Sequence, residues 1–209
     1  MTGARSENAI PDGYATVNCA ECCKSYPVIK GIPRILPELA IPSTAPGSTA
    51  SRGDDETLEF RRTWNRTQSS FGRQWLRYDV QTKDEDKRTF ENKTGFCLEK
   101  LSGIKVLDAG CGGGRYAFVT GSAGAQVVAV DISLAVEKTQ ELCRSLKNVE
   151  IVQANLMTLP FPEKSFDRIY SIGVLHHTPD TRKAFDALIP YLKPGGMISI
   201  WLYPEWDPL

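Results

Sequence analysis

Beyond residue 100, short apolar runs alternate with amphipathic stretches in a regular order along the chain. The first four runs lie at 104–109, 126–130, 149–153 and 166–171, and the fifth extends from Met197 to Leu202. Short apolar runs bounded by turn residues are typical of strands that are buried on both faces. Strands that alternate with helices predict an α/β fold with a doubly wound, mostly parallel sheet.

Two of the stretches between these runs have the period of amphipathic helices. Residues 134–146 predict one helix, and Ser133 can cap its N-terminus. In the second stretch, apolar residues recur at i, i+3, i+4 and i+7 from Phe185 to Leu192. Pro190 lies inside this second pattern, and because proline removes a helical hydrogen bond, it should bend or shorten the helix.

Near the N-terminus, two β-rich runs at 26–29 and 32–36 flank a Lys30-Gly31 pair. This order predicts a hairpin, with positive φ at Gly31 in the turn. Each run contains a proline, at positions 27 and 33, which predicts that both are edge strands because proline cannot donate to a neighbouring strand.

Changes in composition predict four parts: a small N-terminal β-hairpin segment (1–40), a Pro/Ser/Gly-rich linker (41–57), a helical cap (58–100) and the core (101–209). Aromatic residues recur in the cap at helical spacings: Phe60, Trp64, Phe71, Trp75 and Tyr78. They either pack on the core alone or form a lid over a ligand, and in the second case Phe71 and Trp75 lie nearest to it.

Composition narrows the class of protein. Lys plus Arg and Asp plus Glu both number 25, so the formal net charge is zero and no general field favours nucleic acid as a partner. No apolar run approaches the roughly 18 residues that span a bilayer, and no secretory signal is visible. The six cysteines do not form a spaced disulfide framework, and a cytoplasmic location is therefore expected.

Three adjacent glycines follow the first core strand, in the stretch from Val106 to Arg115. Glycine permits positive φ and leaves no Cβ between the backbone and a ligand. The helix that opens after such a turn presents free N–H groups to it. The loop therefore either holds a small molecule against the main chain or is only a tight strand-to-helix turn.

Polar groups follow the next two core strands. Asp131 ends the second strand, where a carboxylate can accept two hydrogen bonds from a ribose diol. Asn155 and Leu156 follow the third strand, where a polar side chain and a main-chain N–H can read an adenine edge. Ligands of such sheets bind beyond the carboxyl ends of the strands, so these groups predict an adenosine-containing cofactor.

The charge beside the loop distinguishes two such cofactors. The stretch Gly112–Ala117 satisfies a dinucleotide fingerprint, but any glycine triplet makes that match weak. Asp108 lies just ahead of the loop, where it would repel a pyrophosphate and attract an ammonium group. S-adenosyl-L-methionine carries an ammonium and a sulfonium but no phosphate, so it is favoured over NAD.

Residues 101–203 resemble class I S-adenosylmethionine-dependent methyltransferases of the ubiquinone/menaquinone (type 11) group, which have a Rossmann-like sheet. Five stretches carry the resemblance, namely Val-Leu-Asp-Ala-Gly-Cys-Gly-Gly-Gly (106–114), Val-Ala-Val-Asp-Ile-Ser (128–133), Leu-Pro-Phe-Pro (159–162), Phe-Asp-Arg-Ile-Tyr-Ser-Ile-Gly-Val-Leu-His-His-Thr-Pro-Asp (166–180) and Leu-Lys-Pro-Gly-Gly (192–196).

The resemblance implies roles for individual residues. Gly110 and Gly112 would contact the methionyl part, Asp108 its ammonium, and Asp131 the ribose. Ile132 would pack on the adenine, and Asn155 stands where the family often has Asp for the adenine amino group, beside Leu156. Ser171 would lie under the sulfonium. His176 follows strand four and serves either as a general base or substrate contact, or as a helix N-cap and packing residue.

Two further expectations concern the ends of the chain. Residues 19–36 resemble the second half of a Trm112-type zinc ribbon, with Cys19, Cys22 and Cys23 but no second cysteine pair. The methyltransferase family has seven strands, so strands six and seven are expected to be missing here. A missing segment or a partner would then cover the open sheet edge.

The sequence therefore predicts an enzyme that transfers a methyl group to an O, N or C nucleophile, with a small molecule as the expected acceptor. One alternative is a non-catalytic cofactor-binding or scaffold protein, motivated by the short sheet and the single cysteine pair. An NAD-dependent oxidoreductase is the other.

Overall fold

The computed structural model describes residues 15–20, 22–40 and 83–203. These residues form eight strands: β1 (Thr16–Asn18), β2 (Ser25–Ile29), β3 (Ile32–Ile35), β4 (Lys105–Ala109), β5 (Gln126–Asp131), β6 (Val149–Ala154), β7 (Phe166–Ile172) and β8 (Leu192–Trp201). Four α-helices accompany them: α1 (Lys83–Thr94), α2 (Arg115–Ser122), α3 (Val136–Cys143) and α4 (Thr181–Leu188). Short 3-10 helices lie at Pro37–Leu39, Leu98–Lys100, Leu175–His177 and Ile189–Tyr191.

All eight strands form one sheet in the order β1-β2-β3-β6-β5-β4-β7-β8. Five neighbouring strands of this sheet are parallel to one another, namely β6, β5, β4, β7 and β8. β5 and β7 flank β4, so the strand order reverses beside β4 and opens a crevice beyond its carboxyl end. The predicted α/β, doubly wound, mostly parallel Rossmann-like sheet is confirmed. Among the described strands, β8 is the last on its side.

The core lies on both faces of the parallel strands. Successive residues of β4 point to opposite faces, so Val106 belongs to one apolar cluster and Leu107 to the other. The cluster around Val106 also receives Phe90 of α1, whose ring meets that of Tyr170 edge-on at 5.0 Å between centroids. The aromatic residues predicted to form a lid, Phe71 and Trp75, lie outside the described residues.

Both predicted helices are present with different bounds, since α3 is shorter than 134–146 and α4 begins at Thr181, ahead of the predicted stretch. Pro190 ends the last helix as expected, because α4 stops at Leu188 and continues as a 3-10 turn. The preceding helix begins at Val136, and its N-cap residue, Ala135, makes no side-chain cap. The Ser133 hydroxyl accepts from the Ala135 N–H at 3.3 Å and donates to Asp131 at 2.7 Å, so it bonds the turn ahead of the helix rather than the first helical turn.

The hairpin is present, with its turn at Lys30 and Gly31, both at positive φ. The prediction that both runs are edge strands is wrong, because each has a neighbour on either side. β3 pairs with β2 through its first two residues and with β6, in parallel, through Arg34 and Ile35. Pro27 and Pro33 therefore lie in short stretches of strand pairing and not at the edge of the sheet.

Candidate functional site

The glycine loop begins where β4 ends. The N–H groups of Gly110 and Cys111 both donate to the carbonyl of Val130, which holds the loop against the end of β5. Gly110 has φ +93°, and a Cβ at that position would lie 2.5 Å from the Val174 side chain. Gly112 and Gly114 also have positive φ, and α2 starts directly after Gly114. These conformations and the close approach of Val174 explain why glycine is required.

Asp108 lies one residue before the end of β4 and is 3% exposed. Its Oδ2 has no hydrogen-bond partner among the described residues. Burial raises the pKa of this carboxyl to about 8, and a hydrogen bond from Tyr170, opposite it on β7, opposes the shift. A buried carboxylate without a positive charge beside it is costly, and a bound cation near Oδ2 would stabilise its charged form.

Asp131 is organised by its own loop. Its Oδ2 accepts a hydrogen bond from the Gly112 N–H at 2.9 Å, and its Oδ1 accepts from the N–H and hydroxyl of Ser133 at 2.8 and 2.7 Å. The side chain remains partly exposed. Since each carboxylate oxygen has two lone pairs, three of the four are used here, and Oδ2 keeps capacity to accept from one hydroxyl of a ligand diol.

The predicted adenine-side residues lie at the ends of β5 and β6. Ile132 is half-buried, Asn155 is half-buried and Leu156 is buried. Asn155 Oδ1 accepts a hydrogen bond from the Met157 N–H at 2.9 Å. The amide is therefore held in an Asx turn, and the carbonyl acceptor suggested by the sequence already has one partner.

Ser171 occupies a structural position. It is fully buried, and its hydroxyl donates to the Ala109 carbonyl at 2.7 Å. This hydrogen bond ties the end of β7 to the end of β4, directly ahead of the glycine loop. Its place beneath a sulfonium, which the resemblance implied, stays a prediction.

His176 lies in the 3-10 turn after β7. Its ring centroid is 3.9 Å from that of His177 and 4.7 Å from that of Tyr203. Both ring nitrogens are buried without a hydrogen-bond partner among the described residues, and burial lowers the pKa of the imidazole. A neutral imidazole can accept a proton. The N-cap role is wrong for this residue, because the Asp180 side chain caps α4 by accepting from the Lys183 N–H.

An ion pair joins helix α1 to the start of α2, directly after the glycine loop. Asp86 of α1 is 1% exposed and contacts Arg115, the first residue of α2. The sequence reasoning missed Asp86, as well as Tyr170, Val174 and Tyr203 around the loop. No local signal marks them, because each reaches the site only through contacts that are distant along the chain.

Cys22 and Cys23 are exposed, and Cys19 is half-buried. In the part of the chain that the structure describes, no three His, Cys, Asp or Glu side chains converge as a metal site requires. No described helix combines the length and apolar character needed to span a membrane.

Comparison with known proteins finds a matching family model and several relatives. The model of the family described as "Methyltransferase domain" matches residues 107–200. A tRNA (carboxymethyluridine(34)-5-O)-methyltransferase of Arabidopsis thaliana is 37% identical over 131 residues, which cover 56% of this chain and 31% of that protein. A demethylmenaquinone methyltransferase of Lactococcus lactis is 36% identical over 113 residues, or 51% of this chain and 44% of that protein.

Among solved structures, phosphoethanolamine N-methyltransferase 1 of Haemonchus contortus, in complex with phosphoethanolamine and S-adenosylhomocysteine, superposes with a TM-score of 0.53. It is 21% identical, and the match covers 68% of this chain and 31% of that chain, which shows a shared fold. The chain thus spans less than half the length of each of these relatives. Residues 107–200 of this chain therefore match the methyltransferase domain family, and the curated relatives named above are methyltransferases.

Proposed function

We propose that this protein binds S-adenosyl-L-methionine and transfers its methyl group to an O, N or C nucleophile of a small molecule. The observation that carries the proposal is the unpartnered, buried Oδ2 of Asp108 beside a glycine loop in which a Cβ at Gly110 would clash. A cationic ligand fits this combination because it would stabilise the ionised form of the buried carboxyl beside the glycine loop.

The residues present suit this cofactor better than a dinucleotide. An α-ammonium group near Asp108 would stabilise the carboxylate that burial disfavours. A pyrophosphate at the same loop would disfavour the ionised form of the Asp108 carboxyl further and would gain no attraction from it. This contrast supports the sulfonium cofactor over NAD.

The remaining cofactor contacts follow from the position of each residue. Gly110 and Gly112 present backbone to the methionyl part, and Asp131 holds the ribose diol with a carboxylate already oriented by Gly112 and Ser133. Ile132 and Leu156 supply apolar contacts to the adenine, and Asn155 lies at its polar edge.

The bound cofactor supplies an electrophilic methyl group whose leaving group is a neutral thioether. The protein's own contribution is then mainly alignment, which supplies roughly 7–11 kcal/mol at best. His176 accepts the proton of an acceptor that is not already ionised, because its buried imidazole is neutral near pH 7. The aromatic ring of Tyr203 beside it forms one side of the acceptor entrance.

A small-molecule acceptor is supported by the zero net charge of the chain. The names of the relatives include both a quinone-precursor and a transfer-RNA enzyme, so the acceptor panel should contain both classes. A non-catalytic cofactor-binding protein is the second candidate, and the observation in its favour is that both ring nitrogens of His176, the proposed base, are buried.

The test is calorimetric titration of the wild type and of Asp108→Asn with S-adenosylmethionine, S-adenosylhomocysteine and NAD. We expect micromolar binding of the first two, no binding of NAD, and a loss of about 10- to 150-fold in Asp108→Asn, the scale of one charge-assisted hydrogen bond. Asp186→Asn, on the exposed face of α4, is the matched control.

Binding of NAD alone, or equal cofactor affinity in Asp108→Asn and the wild type, would contradict the cofactor assignment. Methyl transfer from labelled cofactor to any member of the acceptor panel then separates an enzyme from a cofactor-binding protein. Cofactor binding with no transfer to quinones, amines, phenols or transfer RNA would favour the second candidate.

A further inference from the structure

A buried arginine joins the N-terminal hairpin to the core. Arg34 of β3 is 1% exposed, and its Nη1 donates to Oε1 of Gln153 at 2.9 Å. Its Nη2 donates to Oε1 of Glu137 at 2.9 Å. Gln153 belongs to β6 and Glu137 to α3, so one guanidinium bridges two elements that surround the adenosine end of the candidate site.

Gln153 passes this contact on to the loop after β5. It is 2% exposed, and its Nε2 donates to the carbonyl of Ile132 at 2.9 Å. Ile132 follows Asp131 directly, and Asp131 accepts from the Gly112 N–H. The hairpin is thus connected through Arg34 and Gln153 to the loop that carries the proposed ribose and adenine contacts.

The orientation of the Gln153 amide depends on Arg34. Guanidinium nitrogens only donate, so the amide must turn its oxygen to Arg34 and its nitrogen to Ile132. A flipped amide would place two donors together at Arg34 and two acceptors together at Ile132. The guanidinium of Arg34 therefore selects the orientation in which the Gln153 amide nitrogen donates to the Ile132 carbonyl.

Stability alone is a weak explanation for this arrangement. A buried ion pair contributes little net free energy, because desolvation offsets much of its attraction. Glu137 is also already paired with exposed Lys30 at 2.5 Å, so it does not depend on Arg34 for a partner. The clearest consequence of burying Arg34 is the fixed position of Gln153.

We infer that Arg34 is a positioning residue for the cofactor site: through Gln153 it holds the Ile132 carbonyl, and with it the adenosine-binding loop at 131–133. The inference rests on the proposed function for the identity of the ligand. If Arg34 has this role, the N-terminal hairpin contributes to cofactor binding.

Gln153→Glu in the full chain isolates this role. A glutamate keeps an acceptor for Arg34, but its second oxygen cannot donate to Ile132 and repels that carbonyl. Arg34→Met, in the hairpin, removes the guanidinium that orients the Gln153 amide. Lys30→Met is the matched control, since it removes the other partner of Glu137 and leaves Gln153 untouched.

Three quantities are measured for each variant: affinity for S-adenosylhomocysteine, urea unfolding, and amide hydrogen exchange at 131–136 without ligand. We expect Gln153→Glu and Arg34→Met to weaken binding about 3- to 30-fold, the range seen for positioning contacts outside a site. The Ser133 amide should exchange faster in both variants. Lys30→Met should bind within about twofold of the wild type.

Unchanged exchange and affinity in folded Gln153→Glu would overturn the inference, and so would an equal loss in Lys30→Met. Should Arg34→Met not fold, Gln153→Glu alone decides. If the wild type itself binds no S-adenosylhomocysteine, the proposed function fails, while the exchange measurement on the ligand-free variants still tests the positioning.

Discussion

The backbone N–H of Gly112 donates to Oδ2 of Asp131 at 2.9 Å, so the glycine loop after β4 and the acidic residue at the end of β5 form one unit. The two parts of the candidate site that the sequence presents as separate motifs are therefore coupled. A substitution in the glycine loop should therefore shift the Asp131 carboxylate, and a substitution of Asp131 should shift the loop.

Asp131→Ala removes a carboxylate that would bind the ribose and that also orders the loop. We expect it to weaken S-adenosylhomocysteine binding by about 1.5–3 kcal/mol, the scale of a charge-assisted hydrogen bond. Calorimetry measures this, and Asp131→Asn should recover part of the loss because it keeps one acceptor oxygen. Unchanged affinity in Asp131→Ala would exclude the ribose assignment.

Gly110→Ala should destabilise the fold through two effects. An alanine at φ +93° is strained, and its Cβ would lie 2.5 Å from Val174. Gly103→Ala is the control for strain alone, because it has φ +74° and nothing within 4 Å. We expect about 1 kcal/mol of lost stability for Gly103→Ala and a further 1–3 kcal/mol, roughly, for Gly110→Ala.

Urea unfolding measures both of these changes. Truncating Val174 to alanine in the Gly110→Ala background removes the clashing methyl groups, so it should recover part of the extra loss. No difference between the two glycine variants would contradict the close packing of Val174 on the loop.

The buried Asp108 carboxyl predicts a pH dependence of stability. Its pKa is about 8 in the folded protein and 3.8 as an ordinary value, so the folded state holds a proton that the unfolded state has released. Its contribution to stability therefore falls as pH rises from about 4 to about 8, by at most about 1.4 kcal/mol per pH unit. Asp108→Asn should flatten this dependence.

The unfolding free energies of the wild type and Asp108→Asn at pH 6, 7 and 8 test this sign. The variant should become the more stable of the two as pH rises, while losing affinity for the cofactor. A parallel pH profile in both proteins would show that Asp108 ionises normally in the folded state.

Ser171→Ala separates a structural from a ligand-binding role. Removing its hydroxyl leaves the buried Ala109 carbonyl without that donor, so we expect a loss of about 1–3 kcal/mol in stability. Ser165→Ala, which alters an exposed hydroxyl, should stay within about 0.5 kcal/mol. If Ser171→Ala loses much more free energy of cofactor binding than free energy of unfolding, the hydroxyl instead contacts the ligand.

His176→Gln tests the proposed base. Once an acceptor is found, the variant should keep cofactor affinity and lose about 10²- to 10⁴-fold in the rate of transfer to an unionised nucleophile. His177→Gln is the control, because its ring is the neighbour of His176 and is exposed. Equal rate losses in both variants would argue against a specific base.

The order of the core strands along the chain and the end of α4 shortly before Pro190 were predictable because they depend on local patterns. Apolar runs are visible in sequence, and proline breaks or kinks a helix when it stands in the helix interior. The prediction that the strands containing Pro27 and Pro33 lie at the edge of the sheet was wrong, because the sequence of a short strand does not show which strands will pair with it. β3 reaches β6 through Arg34 and Ile35, a pairing across more than a hundred residues.

The sequence by itself determined the α/β class, the glycine loop and the positions of the acidic groups proposed to select the cofactor, since each follows from residue type and spacing within short segments. Only the tertiary structure decided the environment of those groups. Asp108 acquires its raised pKa from burial beside Tyr170, and Gln153 acquires its orientation from Arg34 on a distant hairpin. Desolvation and long-range hydrogen bonds exist only once the chain has brought these residues together.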